Sequence, residues 1–356
     1  MQNNKSIRYS RHYSLPGFGK EKQELLEKSK VLVIGAGGLG CPVLQYLTAA
    51  GIGTLGIVDG DKVELSNLQR QVLFSMDDIG HSKAEIAEKK MKLLNPEVKF
   101  KVYREFLNHE NAIEIIREFD VVVDGTDNFN SRYLINDVAV MLGKPVVFGS
   151  ILGFEGQVSV FNWGEKGPTY RCVFPEAPDP LNSPSCSELG VIGILPGMIG
   201  SFQANEVIKI CTGIGQPLSG KLLIYNALTN GQITLSVSQI PENKKVQNLD
   251  ATNFVCNSPS NGLEVSIEEF LQDEDYWKEK IIDLRSKGEF HQFNRGGRNL
   301  PLQKLAIQFK ELEKGREILL VCQSGQRSQK AMEFLMDNGY KNVKHLKGGL
   351  QGLEDN

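Results

Sequence analysis

The sequence predicts an α/β protein of two domains: a doubly wound, largely parallel sheet over the first two thirds of the chain, and a smaller α/β domain behind it. Three observations carry this. Val31-Leu32-Val33-Ile34 is an apolar, mostly β-branched run without charge, as expected of a strand buried on both faces. It runs into Gly35-Ala36-Gly37-Gly38-Leu39-Gly40, where Gly35, Gly37 and Gly40 fit G-x-G-x-x-G and open a helix through Leu44, Tyr46 and Leu47. Far downstream a second apolar run, residues 317–322, ends in Cys322 and leads into another helix.

With 356 residues, 40% hydrophobic and 23% charged, the chain can bury a full core and hold two domains. The formal net charge of -3 argues against a broad nucleic-acid surface, while leaving room for a small anionic substrate. Residues 1–5 are polar, and no apolar run approaches the roughly 18 residues of a membrane span, so a cytoplasmic protein is expected. In that setting six cysteines read as catalytic, metal-binding or buried residues rather than a disulfide framework.

Taken in order, Arg8-Tyr9-Ser10-Arg11-His12 reads as a solvated polar arm ahead of a charged helix at residues 21–28. The glycine loop comes after the first strand. Missing side chains at Gly35, Gly37, Gly38 and Gly40 let backbone approach a phosphate, whose charge the helix N–H groups stabilise, so a nucleotide is the expected ligand. The second strand, residues 54–58, ends in Asp59, about 20 residues past the motif, where a ribose-binding carboxylate belongs. This fingerprint suits NAD as well as ATP. Residues 66–83 separate the two: Ser66-Asn67-Leu68-Gln69-Arg70-Gln71 and Gly80-His81-Ser82-Lys83 supply cations, which a dehydrogenase does not need beyond its ribose carboxylate but a triphosphate does. Arg70 and Lys83 suit that task, and Asn67 and Gln71 can orient the same phosphates by hydrogen bonds.

Residues 85–94 read as an amphipathic helix stopped by Asn95-Pro96, 98–103 as a strand, 110–118 as a helix and 121–124 as another buried strand. That strand leads into Gly125-Thr126-Asp127-Asn128. Ligands gather at the carboxyl ends of parallel strands, so Asp59 and Asp127 should face one crevice, with Asp127 a natural ligand for a hard cation or, alternatively, the cap of the next helix. Residues 144–149 and 156–161 are strands, 168–184 a long mobile loop, 190–200 core or dimer contact, 201–211 a helix and 221–226 a further strand. From about residue 241 the composition turns to that of a linker.

Arg8-Tyr9-Ser10-Arg11, the glycine loop, Asp59-Gly60-Asp61, the Ser66 to Gln71 segment and Thr126-Asp127-Asn128 together resemble the MoeB/ThiF/HesA family, bacterial relatives of ubiquitin-activating enzymes. The resemblance implies ATP as cosubstrate. Asp59 would bind the ribose; Asn67, Arg70, Gln71 and Lys83 would hold the phosphates; Asp127, beside Asn128, would coordinate magnesium. Arg11 would reach into a partner subunit's nucleotide site, implying a homodimer. Cys186, just before Glu-x-Gly-Val, would be a candidate for receiving sulfur or forming an acyl link to the carrier, against the plainer reading of a partly buried thiol without a role. The family often carries two C-x-x-C pairs that jointly bind zinc. Here Thr169 and Asn253 stand at the first position of each, only Cys172 and Cys256 remain, and zinc is not expected. Those two thiols are either buried or close enough to pair.

In the second domain, residues 264–270 read as a strand feeding a capped helix, and 280–285 and 317–322 as short parallel strands. A cysteine between a strand end and a helix N-terminus meets backbone N–H groups that favour a thiolate or persulfide. With Ile282-Asp283-Leu284-Arg285, Glu289-Phe290 and Gly348-Gly349-Leu350, the Cys322 to Ser328 loop resembles a rhodanese domain. Cys322 would then carry sulfur from an upstream persulfide donor, with Arg327 adding positive charge; tyrosine phosphatases share the C-x5-R framework, but the Asp-Leu-Arg strand and the fused partner favour sulfur. The expected layout is an adenylation domain at 1–245, a linker at 246–262 and a rhodanese domain at 263–356. The expected reaction is adenylation of the C-terminal Gly-Gly of a ubiquitin-like sulfur carrier, MoaD-like as first choice, followed by sulfur transfer. The alternatives are ThiS-type activation for thiazole synthesis and an NAD-linked oxidoreductase with a rhodanese appendage.

Overall fold

A computed structural model describes residues 2–176, 190–246, 249 and 263–354. These form two compact units, one before the 250–262 stretch and one after it.

The first unit is an eight-stranded sheet of β1 (Lys30–Ile34), β2 (Thr54–Val58), β3 (Lys99–Tyr103), β4 (Val121–Asp124), β5 (Val146–Leu152), β6 (Glu155–Phe161), β7 (Lys221–Asn226) and β8 (Gly231–Ser236), in the order β3-β2-β1-β4-β5-β6-β7-β8. Strands β3 through β5 are parallel, and β6 to β8 extend the sheet antiparallel. Alternate residues of β1 face opposite ways. Val31 and Val33 join the core that contains Leu44, Leu47, Ala84 and Val207, while Leu32 and Ile34 join the one that contains Ile116, Leu134 and Phe148. This is the doubly wound arrangement, and it explains why β1 carries no polar position past its first residue.

Three local expectations change. The polar arm is two short helices, Gln2–Arg8 and Ser10–Tyr13. Tyr9 between them is buried, its hydroxyl accepting a hydrogen bond from Asn95 Nδ2 at 2.8 Å, so the arm is anchored rather than solvated at that point. The first part of the supposed loop at 168–184 is packed: Tyr170–Cys172 is a 3-10 turn, Tyr170 is buried, and the Tyr133 hydroxyl bonds the carbonyls of Phe174 and Glu176 at 3.0 and 2.7 Å. The helix expected from residue 201 begins earlier, as Ile194–Thr212. Pro196 is admissible there because first-turn N–H groups have no intrahelical partner anyway. The sequence reading missed strand β8, although Ile233 and Leu235 alternate with Thr234 and Ser236; all six of its residues are exposed.

The second unit holds a parallel five-stranded sheet of β9 (Glu264–Val265), β10 (Ile281–Asp283), β11 (Arg298–Asn299), β12 (Ile318–Val321) and β13 (Val343–Leu346), in the order β11-β10-β12-β13-β9. Leu320 faces one core with Leu335 and Tyr340, and Leu319 and Val321 face the other with Phe270 and Trp277. Among the described residues no helix is long and apolar enough to cross a membrane.

Candidate functional site

The first site lies where the strand order turns back on itself. From β1 the chain crosses to β2 on one side, and β4 pairs with β1 on the other, so a crevice opens at the carboxyl ends of the three strands. Gly35, at φ +91°, donates its N–H to Val58 O at 2.8 Å, and Gly125 donates to Ile34 O at 2.9 Å. A Cβ on Gly40 would fall 1.9 Å from Gly35 O, so only glycine lets the helix Gly40–Ala50 start this close to the strand end.

Asp59 closes the loop from the β2 side. Its carboxylate accepts from Ala36 N at 2.7 Å and from Asp61 N at 2.8 Å, and burial pushes its pKa up despite those bonds. Lys83, the first residue of the helix Lys83–Leu94, is buried and reaches Asp61 at 3.0 Å. Beneath the loop, Gln71 is buried, its Oε1 has no hydrogen-bond partner among the described residues, and its Nε2 would lie 3.6 Å from a Cβ on Gly37. Arg70, which donates to Ser66 O at 3.0 Å, packs its stem beside Gly38. Asn67 turns its Oδ1 back to Glu64 N at 3.3 Å and its Nδ2 to Ser66 Oγ at 3.3 Å. A glycine cradle, two cations and the Gln71 amide, which offers its Nε2 as a donor, within one loop cluster fit a polyanionic ligand.

Across the crevice, Asp127 is exposed and, among the described residues, its carboxylate receives no hydrogen bond. It does not cap the next helix: Asn128 does, accepting from Ser131 N at 2.8 Å. An open carboxylate at a strand end fits a hard cation with oxygen donors supplied by phosphates. Among the described residues, no cluster of three or more His, Cys, Asp or Glu could hold a metal by itself. Arg11 lies exposed on its short helix, without an ion pair among the described residues.

The sequence reading missed Asp124 and Arg132. Asp124 ends β4 fully buried and accepts from Thr126 N and Oγ1 at 3.0 and 2.7 Å; burial raises its pKa, and Arg132 is the main opposing charge. An arginine near the start of a helix runs against the macrodipole, which signals a compensating carboxylate.

Cys172 closes the 3-10 turn Tyr170–Cys172. Its Sγ accepts from Thr169 N at 3.4 Å, Ile240 N at 3.3 Å and Asn243 Nδ2 at 3.6 Å; burial alone would raise the thiol, but these donors, with the Thr169 hydroxyl, lower it. Cys186 and Cys256 lie outside the described residues.

In the second unit Cys322 follows β12 directly and is buried, with Ser328 N donating to its Sγ at 3.4 Å and Ser328 Oγ 3.6 Å away. The loop is pinned from outside. Leu350 N bonds Cys322 O at 2.8 Å and Gln351 N bonds Gln323 O at 2.9 Å; a Cβ on Gly349 would sit 2.5 Å from both carbonyls. Arg285, buried against Asp283, also donates to Gln323 Oε1 at 3.0 Å. The helix opens at Gln326, which places Arg327 in its first turn. There Arg327 forks onto Glu289 at 2.9 and 3.5 Å, so its charge is shared and not directed at the thiol alone. Burial raises the Glu289 carboxyl, but the bonds from Arg327 and Ser286 outweigh it and bring it down to about 2.

The description "ThiF family" matches residues 9–249, and "Rhodanese-like domain" matches residues 266–356. The chain is 52% identical over 238 residues to a sulfur carrier protein adenylyltransferase of Thermus thermophilus, covering 66% of this chain and 88% of the relative. It is 39% identical over 358 residues to a probable adenylyltransferase/sulfurtransferase, MoeZ, of Mycobacterium tuberculosis, covering 96% and 91%. The crystal structure of Escherichia coli MccB aligns with a TM-score of 0.59 at 24% identity, over 68% of this chain and 71% of that one, a likeness of fold. The curated relatives' names speak of adenylyl and sulfur transfer, not of the oxidoreductase reading. The chain belongs to the ThiF family and carries a rhodanese-like domain at its C-terminal end.

Proposed function

We propose that this chain is an adenylyltransferase and sulfurtransferase that acts on the C-terminal Gly-Gly carboxylate of a ubiquitin-like sulfur carrier. The observation that carries the reading is the cradle at the β1 end, where a glycine loop, the Gln71 amide, Arg70 and Lys83 stand together. A carboxylate is a poor electrophile, and transferring AMP to it creates a mixed anhydride with a good leaving group. The carrier oxygen attacks the α-phosphorus, the α–β bridge breaks and pyrophosphate leaves. Arg70 and Lys83 balance the charge that develops on the phosphates, and Arg11 from a second subunit of a homodimer adds to them. Asp127 would hold a magnesium ion, which when bound neutralises phosphate charge.

Sulfur then arrives on Cys322 as a persulfide from an upstream donor. Its outer sulfur attacks the activated carbonyl, AMP leaves, and an acyl disulfide joins carrier and enzyme. A second thiol attacking the Cys322 sulfur releases the carrier thiocarboxylate and leaves a disulfide; Cys186 is the candidate for receiving sulfur or forming an acyl link to the carrier. A MoaD-like carrier in the cytoplasm is the first choice of substrate.

The test is ATP–pyrophosphate exchange with a Gly-Gly-ending carrier. Exchange that needs carrier and Asp127 but survives Cys322→Ala is expected. No exchange with any such carrier would sink the activation step.

A further inference from the structure

The turn that presents Asp127 is held on every side but its own. Upstream, Gly125 N bonds Ile34 O, and Gln203 Nε2 bonds Asp124 O at 2.7 Å. Within the turn, Thr126 gives both its N–H and its hydroxyl to the buried Asp124 carboxylate, while its carbonyl accepts from Arg132 at 3.2 Å. Downstream, Asn128 caps the helix. Arg132 itself is only 6% exposed, lies near the rings of Phe129 and Phe148 with centroids at 5.7 and 5.5 Å, and among the described residues its buried Nε has no hydrogen-bond partner. Burying a carboxylate and a guanidinium is a weak route to stability, because desolvation offsets their attraction, so an arrangement of this kind calls for another use.

We propose that Arg132 and Asp124 are positioning residues for Asp127. The carboxylate fixes Thr126 from below, the guanidinium fixes its carbonyl from the side, and the peptide that carries Asp127 is left with one orientation. This rests on Asp127 being the cation-holding residue of the nucleotide site. Groups that orient a metal-holding carboxylate typically matter about 10- to 100-fold for metal affinity.

The experiment measures ATP binding to the full chain by calorimetry across a magnesium titration, alongside melting without ligand. Asp127→Asn, Arg132→Gln, Arg132→Lys and Thr126→Val are compared. The magnesium concentration for half-maximal enhancement should rise about tenfold or more in Arg132→Gln and by less in Thr126→Val, with ATP binding in the absence of magnesium unchanged. A purely structural role would lower melting and weaken both binding modes equally, which would overturn the proposal. So would a folded Arg132→Gln with an unchanged midpoint when Asp127→Asn shifts it. An unshifted midpoint in Asp127→Asn itself would overturn the underlying reading of Asp127. Should Arg132→Gln fail to fold, Arg132→Lys and Thr126→Val decide by the same midpoint, and no shift in either counts against the proposal.

Discussion

Strands β1 and β12 both end in a loop that opens a helix, yet the two loops use their backbone differently. After β1, Gly35, Gly37, Gly38 and Gly40 open the approach of the backbone, and the Gln71 amide lies beneath the loop. After β12, the loop closes around its own thiol: Ser328 N–H points at Cys322 Sγ, and Leu350 and Gln351 take the loop carbonyls. On the proposed function, one parallel-strand device makes a cradle for a visiting anion in one unit and a holder for a resident nucleophile in the other. Which of these results depends on whether glycine or cysteine stands at the strand end, and on what packs outside the loop.

The comparison breaks most sharply at the nucleophile. Cys322→Ala should abolish persulfide formation and carrier thiocarboxylate, read by mass spectrometry, while exchange continues; loss of exchange as well would mean the two loops are not separable in chemistry. Next come the glycines that set the close approaches. Gly349→Ala, strained at φ +68° and colliding with two carbonyls, should destabilise the second unit by about 2–4 kcal/mol and remove its sulfur transfer. Gly40→Ala should do the equivalent to nucleotide binding; calorimetric unfolding together with the two assays would show whether each loss stays in its own unit.

Arg70→Ala should reduce exchange about 100-fold without altering melting, because its stem packs at the loop edge and its head stands where phosphate charge develops. The smallest effect concerns acid. Glu289, held at about 2 against an ordinary value near 4.5, contributes stability that is present above 4.5 and is lost as pH falls toward 2. Glu289→Gln should therefore lower melting of the second unit slightly at neutral pH, and the difference from the unaltered chain should vanish in acid. Asp59 and Asp124 carry the opposite sign: their raised values mean that protonation favours the folded first unit as pH falls through them.

The sequence pointed to both strand–loop–helix elements because each depends on neighbours along the chain. An apolar β-branched run, a glycine spacing and a cysteine before a helix are short-range patterns, and β1, β2, β4 and β12 fall within a residue of where they read. It also pointed to Arg11 as an exposed side chain, yet took Tyr9 two residues earlier for surface. Tyr9 is buried by Asn95, which no local pattern could reveal.

Periodicity, loop chemistry and the residue types at each strand end are written locally along the chain. How charges are shared is set by the fold. Arg327 turns to Glu289, Arg285 reaches Gln323, and Lys83 reaches Asp61, pairs separated by 38, 38 and 22 positions in the chain. Asp124 and Arg132 converge on Thr126, which gives its N–H and hydroxyl to the carboxylate and its carbonyl to the guanidinium. A charge in a sequence carries no mark of its partner, whereas in the folded chain desolvation makes an unpartnered buried charge costly, and packing therefore selects the partner.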